Sequence, residues 1–207
     1  MAFNGRSKVR IGDIISFSDA IFAFSITFMA LSIQFPDQTN NLTQSEIISK
    51  ILDLRPQFEV YVVSFFVVGI YWIAYHFVFN HIIDSHSTRT WINLLFLFFI
   101  TLISFTTSLL ISYGNYSIVF ILYSTVLTIT GILLSLIWIH AKVTNHIDNT
   151  LDNTKIMNIT LETIAPPIIF ALSIPVFFIN TNIAHYFWLL IIPTKIMIRK
   201  RYPYKQT

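Results

Sequence analysis

The chain has 207 residues, 55% of them hydrophobic and only 11% charged, with a net charge of +3 and a mean hydropathy of +0.68. Soluble domains carry about 25% charged residues; the deficit here leaves too few solvated side chains to cover a water-facing surface and excludes a soluble globular domain. The absence of cysteine excludes a disulfide framework, a thiolate metal site and a cysteine nucleophile.

Crossing the hydrocarbon core takes about 20 mainly apolar residues. Six segments are candidates: 14–35, 58–80, 91–112, 117–139, 159–180 and 183–198. Inside lipid the backbone must satisfy its own hydrogen bonds, so these segments are expected to be helical despite their many β-branched residues. With no linker or internal repeat in evidence, the sequence reads as one all-α integral membrane domain over residues 1–207.

The first segment follows Arg6, Lys8 and Arg10 and superficially looks like a signal peptide. Its apolar run is too long, contains Asp19 and ends in Gln34-Phe35-Pro36 instead of small residues, so it is expected to remain as the first helix. Asp19 is the one acid deep within a segment. A central Asp costs about 2.5–3.5 kcal/mol in lipid, which favours a helix-packing clamp inside the bundle over direct ion contact.

At about 100° per residue, Ala20, Phe24, Thr27, Phe28 and Leu31 fall on one stripe rotated away from Asp19. Asp13 extends that stripe at its inner end and Gln34 near its outer end. Such a stripe is either ordinary packing or the wall of a pore with a hydrophobic constriction, which gates by dewetting. Periodicity leaves both open.

In the 36–57 loop, Thr43 and Glu46 have capping-box spacing. Ile47, Ile48, Ile51 and Leu52 then make one apolar face before Pro56, which predicts a short helix sealing the outer rim. Residues 90–139 contain no Asp, Glu, Lys or Arg, and the Ser112-Tyr113-Gly114-Asn115 turn splits them into the third and fourth segments. The 140–158 stretch, rich in Asn, Thr and Asp, reads as a cytosolic linker. Pro166, Pro167 and Pro175 are positioned to kink the fifth segment. The sixth is short and carries Pro193 and Lys195.

Charge placement supports six crossings. Arg6, Lys8, Arg10, Arg89, Lys142, Lys155, Lys195, Arg199, Lys200, Arg201 and Lys205 fall on one side, against Lys50 and Arg55 on the other. The positive-inside rule makes the richer side cytoplasmic, with both termini there. The Arg199-Lys200-Arg201 run is explained by topology alone.

Enzymatic motifs are missing. His76, His81 and His86 are each five residues apart, which rotates successive side chains by about 140° and keeps them from sharing a metal on one helix face. No His-Glu-x-x-His or Gly-x-Ser-x-Gly motif is present. No enzyme activity, metal, cofactor or nucleic-acid partner is expected.

Phe17-Ser18-Asp19-Ala20 with its apolar run to Leu31 resembles the signature opening the first helix of the transmembrane protein 175 family. Ser64-Phe65 through Tyr71-Trp72, with His76 and Phe79, resembles that family's second helix. Trp91-Ile92-Asn93-Leu94 through Leu97-Phe98 and Phe105 resembles its third. The likeness covers the first half of the chain, while the second half agrees in span pattern. It implies a prokaryotic, single-repeat, potassium-permeable channel of the bacterial plasma membrane, a homotetramer in lipid whose first helices surround a central pore.

By the same resemblance, Phe24, Thr27, Phe28 and Leu31 form the constriction; Asp13 and Gln34, placed at the two ends of that stripe by helical geometry, would then stand at its mouths. Phe17, Ser18 and Asp19 pack against His76, Trp91 and Asn93. The permeant potassium ion is the only small partner implied. Departures stand at Asp13, where the family usually has Arg, at Tyr75 in place of a His, at Ser104 in place of Pro, and at Phe24 and Phe28 in place of Ile or Leu. A secondary transporter, or a non-conducting membrane protein of the same fold, is the alternative.

Overall fold

A computed structural model describes residues 9–34 and 43–203. The end of the first segment at Phe35, and the basic residues Arg6, Lys8 and Lys205, lie outside the described residues. Among those described, the chain is helical throughout: α1 Ile11–Ala30, α2 Gln44–Asp53, α3 Arg55–Phe79, α4 Ser87–Tyr113, α5 Ser117–Val143, α6 Asn153–Ile179, α7 Thr181–Phe187 and α8 Ile191–Arg201.

Local signals set the boundaries. The Glu46 carboxylate accepts from both the Thr43 backbone N–H and the Thr43 hydroxyl at 2.7 Å, fixing the start of α2. The backbone bond, chiefly, holds the Glu46 carboxyl below its usual range. Pro56 closes α2 and sits in the first turn of α3, where its missing N–H costs nothing. His86 caps α4 by accepting from Thr88, and Asp152 caps α6 by accepting from Lys155.

Among the described residues five helices, α1, α3, α4, α5 and α6, are long and apolar enough to cross a membrane. The sixth segment departs from expectation: α7 and α8 are joined by a 3-10 turn at Trp188–Leu190. Pro193 has no N–H to give the Leu189 carbonyl four residues back, so the helix tightens there. The broken segment nonetheless runs antiparallel along α6. Trp188 donates to Ser173 at 3.1 Å, Arg199 to Glu162 at 2.7 Å, and Asn158 to the Tyr202 carbonyl at 3.0 Å.

Both described chain ends therefore lie at one end of the bundle. Ile11 and Ile14 flank a small cleft with Asp84 and His86 of the α3–α4 connection and Arg89 in the first turn of α4. Ile83 N–H bonds the His146 carbonyl at 3.0 Å, tying that connection to the one between α5 and α6. Gln34 meets Gln57 at the opposite end, beside α2.

Two aromatic clusters fill the interior, Phe22–Tyr75–Phe96 and Phe120–Tyr123–Phe170–Trp188. One proline of α6, Pro167, is accommodated from α5. Pro167 cannot donate to the Thr163 carbonyl, and Ser135 donates to it instead at 2.8 Å. Gly131 lets Pro167 approach, since a Cβ there would lie 2.8 Å from the ring.

Candidate functional site

One face of α1 is packed and the other is open. Ile14, Ser18, Phe22, Ser25 and Met29 are buried, at helical spacing, against the rest of the bundle. The remaining stripe carries Asp13, Phe17, Ala20, Phe24, Thr27, Phe28, Leu31 and Gln34, all exposed. Phe24 is 62% exposed and Leu31 72%, on a helix whose opposite face is sealed. Phe24 and Phe28 stack on each other, centroids 5.7 Å apart and planes 20° from parallel. The hydroxyl of the exposed Thr27 donates to the Ala23 carbonyl at 2.9 Å, which leaves its oxygen able to accept. The sequence-derived stripe is thus brought together on one surface, with no cover from its own chain among the described residues.

The ends of the stripe differ. Arg10 forks onto Asp13, Nε to Oδ2 at 3.0 Å and Nη2 to Oδ1 at 2.9 Å, so the carboxylate carries a cation of its own chain. Leu31 lies just past the last turn and Gln34 beyond it, because α1 ends at Ala30, five residues before the expected boundary at residue 35. Gln34 is held by its backbone N–H, which donates to Gln57 at 3.3 Å.

The signature residues set how α1 is turned. Ser18 Oγ lies 2.7 Å from Tyr75 Oη and accepts from Asn93 at 3.3 Å, joining α1 to α3 and α4. Asp19 Oδ1 accepts from Trp72 Nε1 at 2.8 Å and lies 2.7 Å from His76 Nε2. Ser104, which stands where Pro is common in the resembled family, donates to the Ser25 carbonyl at 2.8 Å.

Phe17 and Trp91 stay outside this network. Phe17 precedes Ser18 by about 100° of rotation and so falls on the open face; Trp91 is about 200° from Asn93 around α4 and is 70% exposed. Tyr75 and Trp72 were not assigned roles from the sequence. The usable signal was their spacing with His76 on one side of α3.

The histidines separate as well. His76 serves Asp19, while His86 faces His140 and His146 with ring centroids 5.0 and 5.9 Å away. Arg89 is buried beside them and donates to the Asp84 carbonyl and to Thr144. Among the described residues no three His, Cys, Asp or Glu side chains are placed to hold a metal.

The family described as "Endosomal/lysosomal potassium channel TMEM175" matches residues 14–103. Curated relatives include a potassium channel of Streptomyces collinus, 29% identical over 66% of this chain and 66% of its own length. Another, from Chryseobacterium sp., is 31% identical over 46% of each chain. A third, from Chamaesiphon minutus, is 30% identical over 49% of this chain and 50% of its own. The matched stretches thus span between about half and two thirds of those relatives. The crystal structure of a lysosomal potassium-selective channel TMEM175 homolog from Chamaesiphon minutus has the same fold, with a TM-score of 0.77 at 23% identity over 91% of this chain and 97% of that one.

Proposed function

This chain belongs to the TMEM175 family, and from that premise we propose that it is a potassium channel of the bacterial plasma membrane. Four copies assemble with their α1 helices around a central pore. The observation that carries this reading is the open face of α1. A membrane helix that opens the bundle, seals one side and leaves Phe24, Thr27, Phe28 and Leu31 uncovered is built to meet further copies of itself around an axis.

In that assembly the two Phe levels and Leu31 form an apolar constriction, where water is held weakly and conduction is gated by wetting. Potassium crosses it partly dehydrated. The Thr27 hydroxyl oxygen and the backbone dipoles offset part of the lost hydration. Gln34 lines the outer mouth. Asp13 lines the inner one, but the Arg10 fork makes that ring a weaker cation concentrator than a bare carboxylate. Asp19, engaged by Trp72 and His76, orients the helix and does not bind the ion.

The broken α7–α8 segment supplies the sixth crossing, and the positive-inside pattern puts both chain ends in the cytoplasm. The single domain spans residues 1–207, with lipid around it. A transporter would need charge at the midplane on several helices; the buried Glu162 is held by Arg199 near the end of the bundle. Recording potassium currents from the purified protein in planar bilayers tests the proposal. Currents are expected under a potassium gradient, and silence under every gradient refutes it.

A further inference from the structure

A groove of about 230 Å³ lies between α3 and α8, opening sideways from the bundle. Its walls are Ile70 and Ile73 from α3 and Ile191, Ile192 and Ile196 from the C-terminal segment, with Lys195 among them and Arg199 one turn further along α8. Ile73, Ile192 and Ile196 are exposed. Position along the helices gives the groove a direction. Ile73 lies six residues before the end of α3 and Lys195 six before the end of α8, each about 9 Å from the end of the bundle where the C-terminus emerges. Arg199 lies one turn nearer that end. Ile70, Ile191 and Ile192 therefore lie deeper in the hydrocarbon, while Ile73 and Ile196 stand level with Lys195 just below headgroup level, where a long basic side chain reaches the interface.

The charges do not cancel. Arg199 Nε and Nη2 take the two oxygens of Glu162, at 2.7 and 3.2 Å. Lys195 faces the same carboxylate's field but, among the described residues, belongs to no ion pair. Lys200 and Arg201 follow immediately. An apolar groove headed by surplus positive charge fits an amphiphile that ends in an anion.

We propose that this groove binds one anionic phospholipid of the leaflet at which the C-terminus emerges, its phosphate held by Lys195 and Arg199 and one acyl chain laid along Ile70, Ile73, Ile192 and Ile196. The volume is below the roughly 300–1,000 Å³ of pockets that enclose a whole small molecule. That suits a site gripping one chain and leaving the other in the bilayer. The inference uses the membrane-spanning fold and is independent of conduction.

Thermal unfolding of the delipidated full-length protein in neutral detergent tests it, with phosphatidylglycerol, phosphatidylcholine of the same chains, or inorganic phosphate added. Phosphatidylglycerol alone is expected to raise Tm saturably. Lys195→Gln should need about fivefold more of it, the worth of one interfacial cation. Ile73→Trp, which fills the groove and keeps both cations, should lose the increment. Equal stabilisation by phosphatidylcholine, the full shift from phosphate alone, or an unchanged response in Lys195→Gln overturns the proposal. So does disulfide linkage of two copies through Ile192→Cys, in a chain with no other cysteine, because the groove would then be covered by a second copy.

Discussion

Asp19 Oδ1 and His76 Nε2 meet at 2.7 Å across the α1–α3 contact, one helical turn from the Trp72 bond to the same oxygen. Holding one acceptor from two points on α3 fixes the rotation of α1 about its own axis, and with it which face remains open. Replacing Asp19 by Ala leaves two donors unpaired and should cost about 1–2 kcal/mol, the lower part of the range for unmade bonds because the site is partly exposed. Asp19→Asn keeps an acceptor at the same place and should cost less. Thermal unfolding in detergent measures both. An Asn variant with wild-type stability and sharply reduced potassium current would instead make Asp19 an ion ligand.

The Phe24–Phe28 stack makes a different demand. If these rings form the barrier, truncating Phe24 to Ala widens and wets the narrowest level, and single-channel conductance should rise severalfold with little loss of stability, since the side chain is 62% exposed in the single chain. Planar-bilayer recording reads the effect directly. Unchanged conductance removes Phe24 from the gate.

The pattern on α1 was legible because it is local: a period of 3.6 residues separates Ser18, Phe22 and Ser25 from Phe24, Thr27 and Phe28 without reference to any other helix. The long spans were legible for a similar reason, as charge is missing over residues 90–139. Non-local features were not. Glu162 meets Arg199 from 37 positions away, and no spacing rule connects them. The 3-10 turn before Pro193 shortened the sixth helix because one missing N–H acts a turn upstream of the residue that lacks it. Trp91 and Asn93 stand close in sequence but face opposite ways around α4, so a motif that names both does not place both in one network.

The Glu162–Arg199 pair is asymmetric in burial: the Glu162 side chain is 5% exposed and the Arg199 side chain 54%. Removing the exposed partner is therefore the more damaging change. Arg199→Gln leaves a carboxylate in the bundle and should cost about 3 kcal/mol, whereas Glu162→Gln frees a guanidinium that can reach water and should cost clearly less. Denaturation of the two variants in the same detergent ranks them, and equal losses would show that the pair is held by packing rather than by charge.

Ser135 answers a deficit created by Pro167, which predicts coupling between the two positions. In the native chain the Ser135 hydroxyl serves the Thr163 carbonyl at 2.8 Å, as well as the Gly131 carbonyl of its own helix at 2.9 Å. Ser135→Ala should therefore strand the Thr163 carbonyl in a dry interface and cost about 1–3 kcal/mol. Pro167→Ala restores a backbone N–H that can close the helical bond to Thr163. It also relieves the close approach at Gly131, where an added Cβ would meet the ring at 2.8 Å. In the Pro167→Ala background the serine has no deficit to fill, so Ser135→Ala should cost markedly less there. A double-mutant cycle on thermal stability measures the difference, and additive losses would mean that the hydroxyl is needed for its own helix and not for the proline-bearing one.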